Sequence, residues 1–308
     1  MRNAFAAELL ALAEENERVV LLSGDMGNNL FNAFKKRFPD RFINCGAAEA
    51  NMTGVAAGMA LAGLLPITYS IASFNPGRCA EQVRIDICLQ NLPVIVVGVG
   101  AGFSYASLGP THHSLEDIAW MRSLPNMTVV CPADAVETRC ALRAALHQGG
   151  PTYLRLGKKN EPVVHATSPE FVLGKGISLS EGQDACLLSV GTLLPLAVEA
   201  AQMLSSQGIA TEVVSMHTVK PLDTDLLQRV FSTKKVVAVL EEHVPSGGAW
   251  SAVAEWLSMQ QTSTAKARLV RCGAKDMFYT QGGNAAWAQQ CSGLTASDVC
   301  STIASAAI

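Results

Sequence analysis

The sequence predicts an α/β protein with two three-layer domains, each built around a mostly parallel sheet. Short apolar strands alternate with helical patterns along nearly the whole chain, which is typical of parallel sheets covered by helices. The chain has 308 residues, more than a single hydrophobic core usually serves. A polar, proline-containing stretch interrupts the alternation after residue 156. We therefore place a first domain at 1–160, a linker at 161–183 and a second domain at 184–308.

Local periodicity predicts the elements of the first domain. Phe5, Leu9 and Leu12 recur at helical spacing, which favours a first helix, and Val-rich runs bounded by Gly or Pro favour buried strands. We predict helices at 2–15, 49–63, 77–90, 115–122 and 134–146, and strands at 19–22, 65–71, 94–99, 127–130 and 152–156.

The second domain repeats the pattern without a detectable sequence repeat. Its apolar runs are again short and its amphipathic segments lie between them. We predict strands at 184–190, 210–215, 235–240 and 267–271, and helices at 193–206, 223–231 and 248–259.

Composition excludes several classes of function. The chain is 49% hydrophobic and 16% charged, which favours a large interior or a large partner interface. A net charge of -3, with no basic run, argues against nucleic acid. The first residues turn acidic early, unlike a signal peptide, and the apolar run at 92–102 is too short to span a membrane. Nine scattered cysteines indicate reduced thiols in a cytoplasmic protein without a metal site.

Glu49 is the most informative single residue. It stands between a short apolar strand with a Gly turn and a helix of small residues that carries no other charge nearby. Desolvation in such a place favours the protonated carboxyl unless a neighbour opposes it, and a proton-shuttling acid needs that property. The alternative is an acid placed at a helix N-terminus because the helix dipole favours it.

Two further segments follow predicted strands, where open α/β sheets bind ligands. Phe74, in the segment 70–78, could stack on a flat ligand, or it could be an ordinary core residue. The turn Gly109-Pro110-Thr111-His112-His113-Ser114 presents two histidines before a helix. Those histidines could serve chemistry, or the turn could simply cap the helix with solvated side chains.

Arg155 lies near the end of a predicted buried strand. A buried arginine is costly unless it is paired, so the sequence predicts an anionic ligand or a carboxylate partner.

One segment resembles a metal-diphosphate motif without having its spacing. It is Gly24-Asp25-Met26-Gly27-Asn28-Asn29. A working motif needs Gly-Asp-Gly and an Asn-Asn pair about one βα unit apart, whereas both pairs here fall within one short segment. The rest of the chain supplies neither that motif nor a phosphate-binding glycine fingerprint. We therefore expect no metal to be bound by this chain alone.

Taken together, these segments resemble the transketolase family. The matching segments, in the family's order and spacing, are Phe42 to Gly63, Ser73-Phe74, Glu81 to Arg84, Gly109 to His112, Pro132 to Asp134, Val219 to Asp223, and Glu241 to His243 before Gly247-Gly248. The resemblance covers nearly the whole chain but only the back half of a full-length enzyme. It implies a thiamine diphosphate pyrimidine-binding fold followed by the transketolase C-terminal fold, as in the C-terminal subunit of a split transketolase.

The resemblance also implies roles for individual residues. Glu49 would hydrogen-bond N1′ of the aminopyrimidine of thiamine diphosphate and drive it to the imino tautomer that deprotonates the thiazolium. Phe74 would stack on the aminopyrimidine, and Ser73 and Asp25 are further candidate cofactor contacts. His112 would lie over the thiazolium and contact the substrate.

Arginines would bind the sugar phosphate in the family's manner. Arg155 matches an arginine that binds the sugar phosphate in the family, a role that suits the bidentate guanidinium. Family members also place arginines at the positions of Arg78 and Arg2. The missing diphosphate-binding domain, together with Mg²⁺, would be supplied by an N-terminal partner subunit, in an α2β2 assembly.

Three departures from the family concern substrate recognition. Leu108 stands where transketolases carry an aspartate that binds a substrate hydroxyl, Gly100 where they carry a histidine, and Asn29 where they carry a serine. A buried leucine cannot hydrogen-bond a hydroxyl, and losing such a bond changes discrimination strongly. We expect a branched, deoxy or sulfonated sugar rather than an ordinary pentose-phosphate ketose as the donor.

Three alternatives stay open at this point. They are the beta subunit of a 2-oxoacid dehydrogenase, a fragment of a 1-deoxyxylulose-5-phosphate synthase, and a non-catalytic scaffold subunit. The 109–112 turn and the Glu241-Glu242-His243 segment favour a transketolase over the dehydrogenase.

Overall fold

Two helix-covered sheets organise the chain in the computed structural model, which describes residues 1–260 and 266–307. The strands are β1 (Val19–Ser23), β2 (Phe42–Asn44), β3 (Leu65–Ile71), β4 (Ile95–Val99), β5 (Thr128–Val130), β6 (Thr152–Leu156), β7 (Ile177–Ser180), β8 (Ala185–Ser189), β9 (Thr211–Ser215), β10 (Thr218–Lys220), β11 (Val236–Glu241) and β12 (Arg268–Gly273). The described helices are α1 (Arg2–Glu15), α2 (Asn32–Arg37), α3 (Glu49–Leu61), α4 (Asn75–Arg78), α5 (Ala80–Gln82), α6 (Asp117–Arg122), α7 (Ala135–Gln148), α8 (Leu194–Ser206), α9 (Thr224–Thr233), α10 (Ala249–Ser258), α11 (Ala285–Ser292) and α12 (Ala296–Ala307).

Both sheets are mostly parallel. The first has seven strands in the order β10-β5-β6-β4-β3-β1-β2, and the second has five in the order β12-β11-β8-β9-β7. Only the edge strands β10 and β7 pair antiparallel with their neighbours among the described strands. The predicted α/β class with two mostly parallel sheets is confirmed.

Each sheet lies between two layers of helices. Alternate residues of β1 face opposite sides: Val20 and Leu22 pack with α3 and α6, whereas Val19 and Leu21 pack with α1, α2 and α7. In the second sheet one face packs on α9 and α10 and the other on α8, α11 and α12. Because both faces are covered, strands inside the sheets, such as β1, β4 and β11, are apolar along most of their length.

Two short strands differ from the predicted organisation. Strand β7 lies inside the stretch predicted as linker and pairs antiparallel with β9. Strand β10 comes from the second half of the chain but joins the first sheet beside β5, so the two domains share a sheet edge. Neither strand is long enough to show a period, and each is stabilised by a non-local partner.

The helices also differ in places from prediction. The predicted helix at 77–90 is divided into α4, α5 and a π-helical segment at Val83–Cys88. Helices α2, α11 and α12 were not predicted. The two terminal ones are rich in small and polar residues, and their apolar positions bury against the second sheet only in the folded protein.

Candidate active site

Loops that follow four parallel strands converge at the carboxyl edge of the first sheet. Glu49 follows β2, Phe74 follows β3, His112 lies in the long loop after β4, and Lys158 follows β6. Since these strands run parallel and in register, their carboxyl ends lie on one side of the sheet. Such an edge is where open α/β sheets place their ligands.

Glu49 is a buried carboxylate with a partner on each oxygen. Its side chain is 3% exposed, and it is the first residue of α3. The Ser70 hydroxyl donates to Oε1 at 3.0 Å, and the Arg78 guanidinium donates to Oε2 at 3.1 Å. Both carboxylate oxygens are therefore held by donors, one on β3 and one on α4. The dipole at the start of a helix also suits an acidic side chain, so the dipole interpretation and a functional role are compatible.

Gly24 allows the chain to pass close to this carboxylate. A Cβ at position 24 would lie 3.0 Å from Ser70 Oγ and 3.5 Å from Glu49 Cγ. Asp25 directly after it is exposed and has a φ of 55°. It exchanges hydrogen bonds with Asn44 at the end of β2, since its amide donates to Asn44 Oδ1 and its own Oδ1 accepts from Asn44 Nδ2. Asp25 therefore borders the same edge of the sheet as Glu49.

Phe74 and His112 form the aromatic part of the site. Their ring centroids lie 5.1 Å apart with the planes at 62°. The Arg78 guanidinium lies 4.4 Å from the centroid of the half-buried Phe74 ring. Ser73 Oγ donates to the Thr111 carbonyl at 3.3 Å and so links the two loops. One face of the Phe74 ring thus carries the Arg78 guanidinium, a planar, electron-poor group of the kind that an aromatic face attracts.

His112 is held by its neighbours in the turn. Its Nδ1 lies 2.9 Å from Thr111 Oγ1. Burial, and then the positive charge of Arg78, lower the pKa of His112 below its ordinary value. The ring is therefore neutral over a wider pH range than an exposed histidine.

This effect can be measured in the isolated chain. We expect NMR titration to show His112 deprotonating below the ordinary histidine pKa of about 6.5, and Arg78→Met to raise its pKa because a cation is removed. In the same spectra His165, whose Nε2 lies 2.7 Å from Glu137, should titrate above that value because the hydrogen bond to Glu137 raises its pKa. Arg37→Met is the control and should leave His112 unchanged; a His112 titration indifferent to Arg78→Met would contradict the assignment.

Tyr105 and Lys158 belong to the site although sequence reasoning missed them. A Cβ at Gly100 would lie 2.0 Å from the Tyr105 ring, so Tyr105 occupies the space beside the position where transketolases carry histidine. Its ring centroid lies 6.2 Å from that of His112, and Lys158 Nζ lies 4.3 Å from its centroid. Arg2 Nε donates to the Lys158 carbonyl. Two features of the sequence could have identified these residues: Tyr105 is an aromatic residue in a Gly-rich loop, and Lys158 is a lysine just after a strand.

Leu108 is 53% exposed and ends a short 3-10 turn at Ala106–Leu108. The expectation that it is buried is therefore wrong for this chain by itself. The left-handed Gly109, with a φ of 78°, follows it and starts the turn that leads to His112. The leucine thus lies at the surface beside the candidate site.

Arg155 has the carboxylate partner that the sequence left open. Its side chain is buried, and its Nε donates to Asp117 Oδ2 at 2.7 Å. Its Nη2 donates to the carbonyls of Ser114 and Glu242 at 2.8 and 3.1 Å. Tyr153 donates to the same Asp117 oxygen at 2.6 Å. The guanidinium is thus used inside the protein, and the structure does not bring it into the group around Glu49, Phe74 and His112.

Residues 1–163 match the family described as "Transketolase, pyrimidine binding domain", and residues 174–299 match "Transketolase, C-terminal domain". The chain belongs to the transketolase family. The family implies thiamine diphosphate as a cofactor.

Three similar proteins place the chain more closely within the transketolase family. A split gene transketolase, solved as an inactive beta4 tetramer, is 37% identical with a TM-score of 0.89 over 99% of this chain and 97% of that chain. A 6-deoxy-6-sulfo-D-fructose transketolase subunit of Clostridium sp. (strain MSTE9) is 35% identical over 97% of this chain and 92% of its own length. A 1-deoxy-D-xylulose-5-phosphate synthase of Syntrophus aciditrophicus (strain SB) is 38% identical over 91% of this chain, but the match spans only 43% of that protein.

Residues 1–260 and 266–307 contain no group of three or more His, Cys, Asp or Glu side chains that could hold a metal ion. No helix in that part of the chain is long and apolar enough to cross a membrane.

Proposed function

We propose that this chain is the C-terminal, pyrimidine-binding subunit of a thiamine diphosphate-dependent transketolase. It would transfer a two-carbon ketol unit from a ketose donor to an aldose acceptor. The observation that carries the proposal is the buried Glu49 carboxylate beside the Phe74 and His112 rings, on loops at one sheet edge. The cysteines of the chain are unpaired, which supports the proposal that the enzyme is cytoplasmic.

The residues at this edge fit the cofactor's aminopyrimidine. Glu49 offers a carboxylate whose orientation Ser70 maintains, and Gly24 leaves room beside both side chains. Phe74 offers an aromatic ring, from which the Arg78 guanidinium would move when the aminopyrimidine stacks there. When bound, thiamine diphosphate supplies a carbon nucleophile and an electron sink for cleavage of a carbon–carbon bond. Glu49 would hold and return the proton at N1′ of the aminopyrimidine, and Ser73 and Asp25 would border it.

Substrate would be bound by His112 and a set of cations. A neutral His112 can accept or donate a hydrogen bond at a substrate oxygen. Arg78, Lys158 and Arg2 bring positive charge to the same side of the site. Burial, and then the charges of Lys159 and Arg2, lower the pKa of Lys158, and an anionic phosphate or sulfonate on the substrate would relieve that repulsion.

A partner subunit would complete the site. The chain lacks the diphosphate motif, so an N-terminal transketolase subunit would bind the diphosphate and Mg²⁺. Exposed apolar side chains at the end of α3 and directly after the π-helical segment, Leu61 at 63% and Leu89 at 72%, are suited to such an interface. We propose an α2β2 heterotetramer.

The donor sugar would differ from that of ordinary transketolases. Leu108 removes a polar contact, and the similarity to a sulfosugar transketolase subunit supports a modified donor. The test is co-expression with an N-terminal subunit from the adjacent reading frame, followed by a screen of branched, deoxy and sulfonated ketoses against one aldehyde acceptor. Xylulose 5-phosphate outperforming all of them would contradict the donor assignment.

The synthase relative supports one competing function, in which pyruvate is the donor. The same screen therefore includes pyruvate, with and without a lipoyl acceptor. Ketol transfer without pyruvate decarboxylation supports the transketolase. Decarboxylation without ketol transfer would replace the proposal by a synthase or a 2-oxoacid dehydrogenase subunit, and an inactive complex would favour a scaffold.

Leu108 should control donor choice. We expect Leu108→Asp to shift kcat/KM toward xylulose 5-phosphate by about tenfold or more, because a carboxylate can pair with a hydroxyl that leucine leaves unpaired. Val172→Asp, at a linker position that is 47% exposed, is the control and should not change the ratio of donors. An unchanged ratio of kcat/KM between donors in Leu108→Asp would show that Leu108 has no part in donor recognition.

A further inference from the structure

Residues that follow β11 in the second domain contact the end of the loop that carries His112 and the helix α6 that comes after it. Val244 donates its amide to the Leu115 carbonyl at 2.9 Å, and His243 Nε2 accepts from the Ala119 amide at 3.3 Å. Glu242 also contacts this loop, through a buried side chain that has no role in the proposed chemistry.

Glu242 places a buried carboxylate directly against the start of this loop. The residue is 3% exposed, and its Oε2 accepts from the Phe103 amide at 3.3 Å. A Cβ at Gly102 would lie 1.9 Å from that oxygen, so only glycine admits the carboxylate here. Gln289 on α11 donates its side-chain amide to Oε1. Both carboxylate oxygens therefore have a donor, one in each domain.

The loop is closed at its base by a second set of contacts. Gly102 and Ser114 exchange two backbone hydrogen bonds, at 3.1 and 3.0 Å. Arg155 Nη2 donates both to the Ser114 carbonyl and to the Glu242 carbonyl. Glu242 is thus tied to both ends of the segment 102–114, and His112 lies within that segment.

A cavity borders one side of the loop, and polar contacts hold the loop on that side. A cavity of about 370 Å³ is lined by Ser104, Ala106 and Ser107 of the loop and by Glu242 and Gln289 of the second domain. The Phe103 ring is buried against Tyr279 and His113. On the side of the cavity, where packing is absent, directional hydrogen bonds to the carboxylate add to this packing in defining where the loop lies.

We propose that Glu242 is a positioning residue of the second domain, whose carboxylate sets the place of the 102–114 loop and thereby of the His112 ring. The inference rests on the proposed function, in which His112 contacts substrate. It gives the C-terminal domain a part in the reaction without contact to the reacting atoms. A misplacement of about 1 Å at such a ring costs on the order of a hundredfold in rate.

The test is a double-mutant cycle in the reconstituted complex, using Glu242→Ala, His112→Ala and the double variant. We expect Glu242→Ala to lower kcat by about ten- to a hundredfold with a much smaller change in donor KM. In the His112→Ala background the same substitution should change kcat by less than about twofold, because the group that it positions is gone. Equal losses in both backgrounds would overturn the proposal.

Two further variants keep the outcome interpretable. Glu212→Gln alters another buried carboxylate of the second domain, which pairs with Arg229 and Lys234, and should cost stability without any dependence on His112. If Glu242→Ala does not fold, Glu242→Gln takes its place in the cycle, since its single carbonyl oxygen cannot serve both donors.

Hydrogen exchange of the isolated chain provides a readout that does not depend on catalysis. We expect faster exchange across 102–114 in the Glu242 variant and not in Glu212→Gln. Unchanged exchange in the Glu242 variant would overturn the positioning role. A wild-type complex without ketol transfer would instead overturn the proposed function, and the exchange experiment would still decide whether Glu242 holds the loop.

Discussion

Glu49→Gln is expected to lower kcat of the reconstituted complex by about 10²- to 10⁴-fold, the range that a positioned acid or base contributes. Glutamine keeps the size of the side chain and its oxygen can still accept from Ser70, so the fold should persist, whereas its amide nitrogen cannot accept from Arg78 as Oε2 does. It cannot exchange a proton with a ring nitrogen as a carboxylate does. Steady-state kinetics with the preferred donor, together with the unfolding midpoint of each variant, measure the two effects separately.

The controls for this prediction use both a stronger and a neutral change. Glu49→Ala should be at least as damaging as Glu49→Gln, and Glu17→Gln, an exposed carboxylate after α1, should leave turnover unchanged. Full turnover in Glu49→Ala would show that the chain is not catalytic in the proposed way.

Arg155→Met should destabilise the isolated chain by about 3–5 kcal/mol, because it leaves the Asp117 charge buried without its cation. Asp117 and Tyr153 are fully buried, and Arg155 is 3% exposed. Urea unfolding followed by circular dichroism measures the loss. Adding Asp117→Leu should recover part of it, since the unpaired charge is then removed.

The matched control for Arg155 is Arg37→Met. Arg37 pairs with Glu14 at 3.8 Å, but both side chains are largely exposed, and solvent screens such a pair. A far smaller change is therefore expected than for Arg155→Met. A similar loss of unfolding free energy in both variants would mean that burial of the Arg155 network adds nothing to stability. A stable Arg155→Met with weaker donor binding would restore the substrate-binding role first expected for Arg155.

Particular residues show how far local sequence information reaches. Glu49 is identifiable because one acid stands before a helix without other nearby charge, and the turn before His112 because Gly and Pro define it. Tyr105 was missed because its role depends on the space beside Gly100, which no local pattern reports. Lys158 was passed over for Arg155, three residues earlier, because burial and pairing distinguish the two only in the folded chain.

The sequence by itself determined the α/β class, the two sheets, the family and the group of Glu49, Phe74 and His112. The class and the sheets follow from periodicity, a property of neighbouring residues, whereas the family and the grouping of these three residues follow from the resemblance to the transketolase family. Only the tertiary structure decided the partner of Arg155, the exposure of Leu108, the place of β10 in the first sheet and the contact of Glu242 with the His112 loop. Each of these pairs residues far apart in the chain, and the crossovers that bring such residues together depend on the packing of the whole fold.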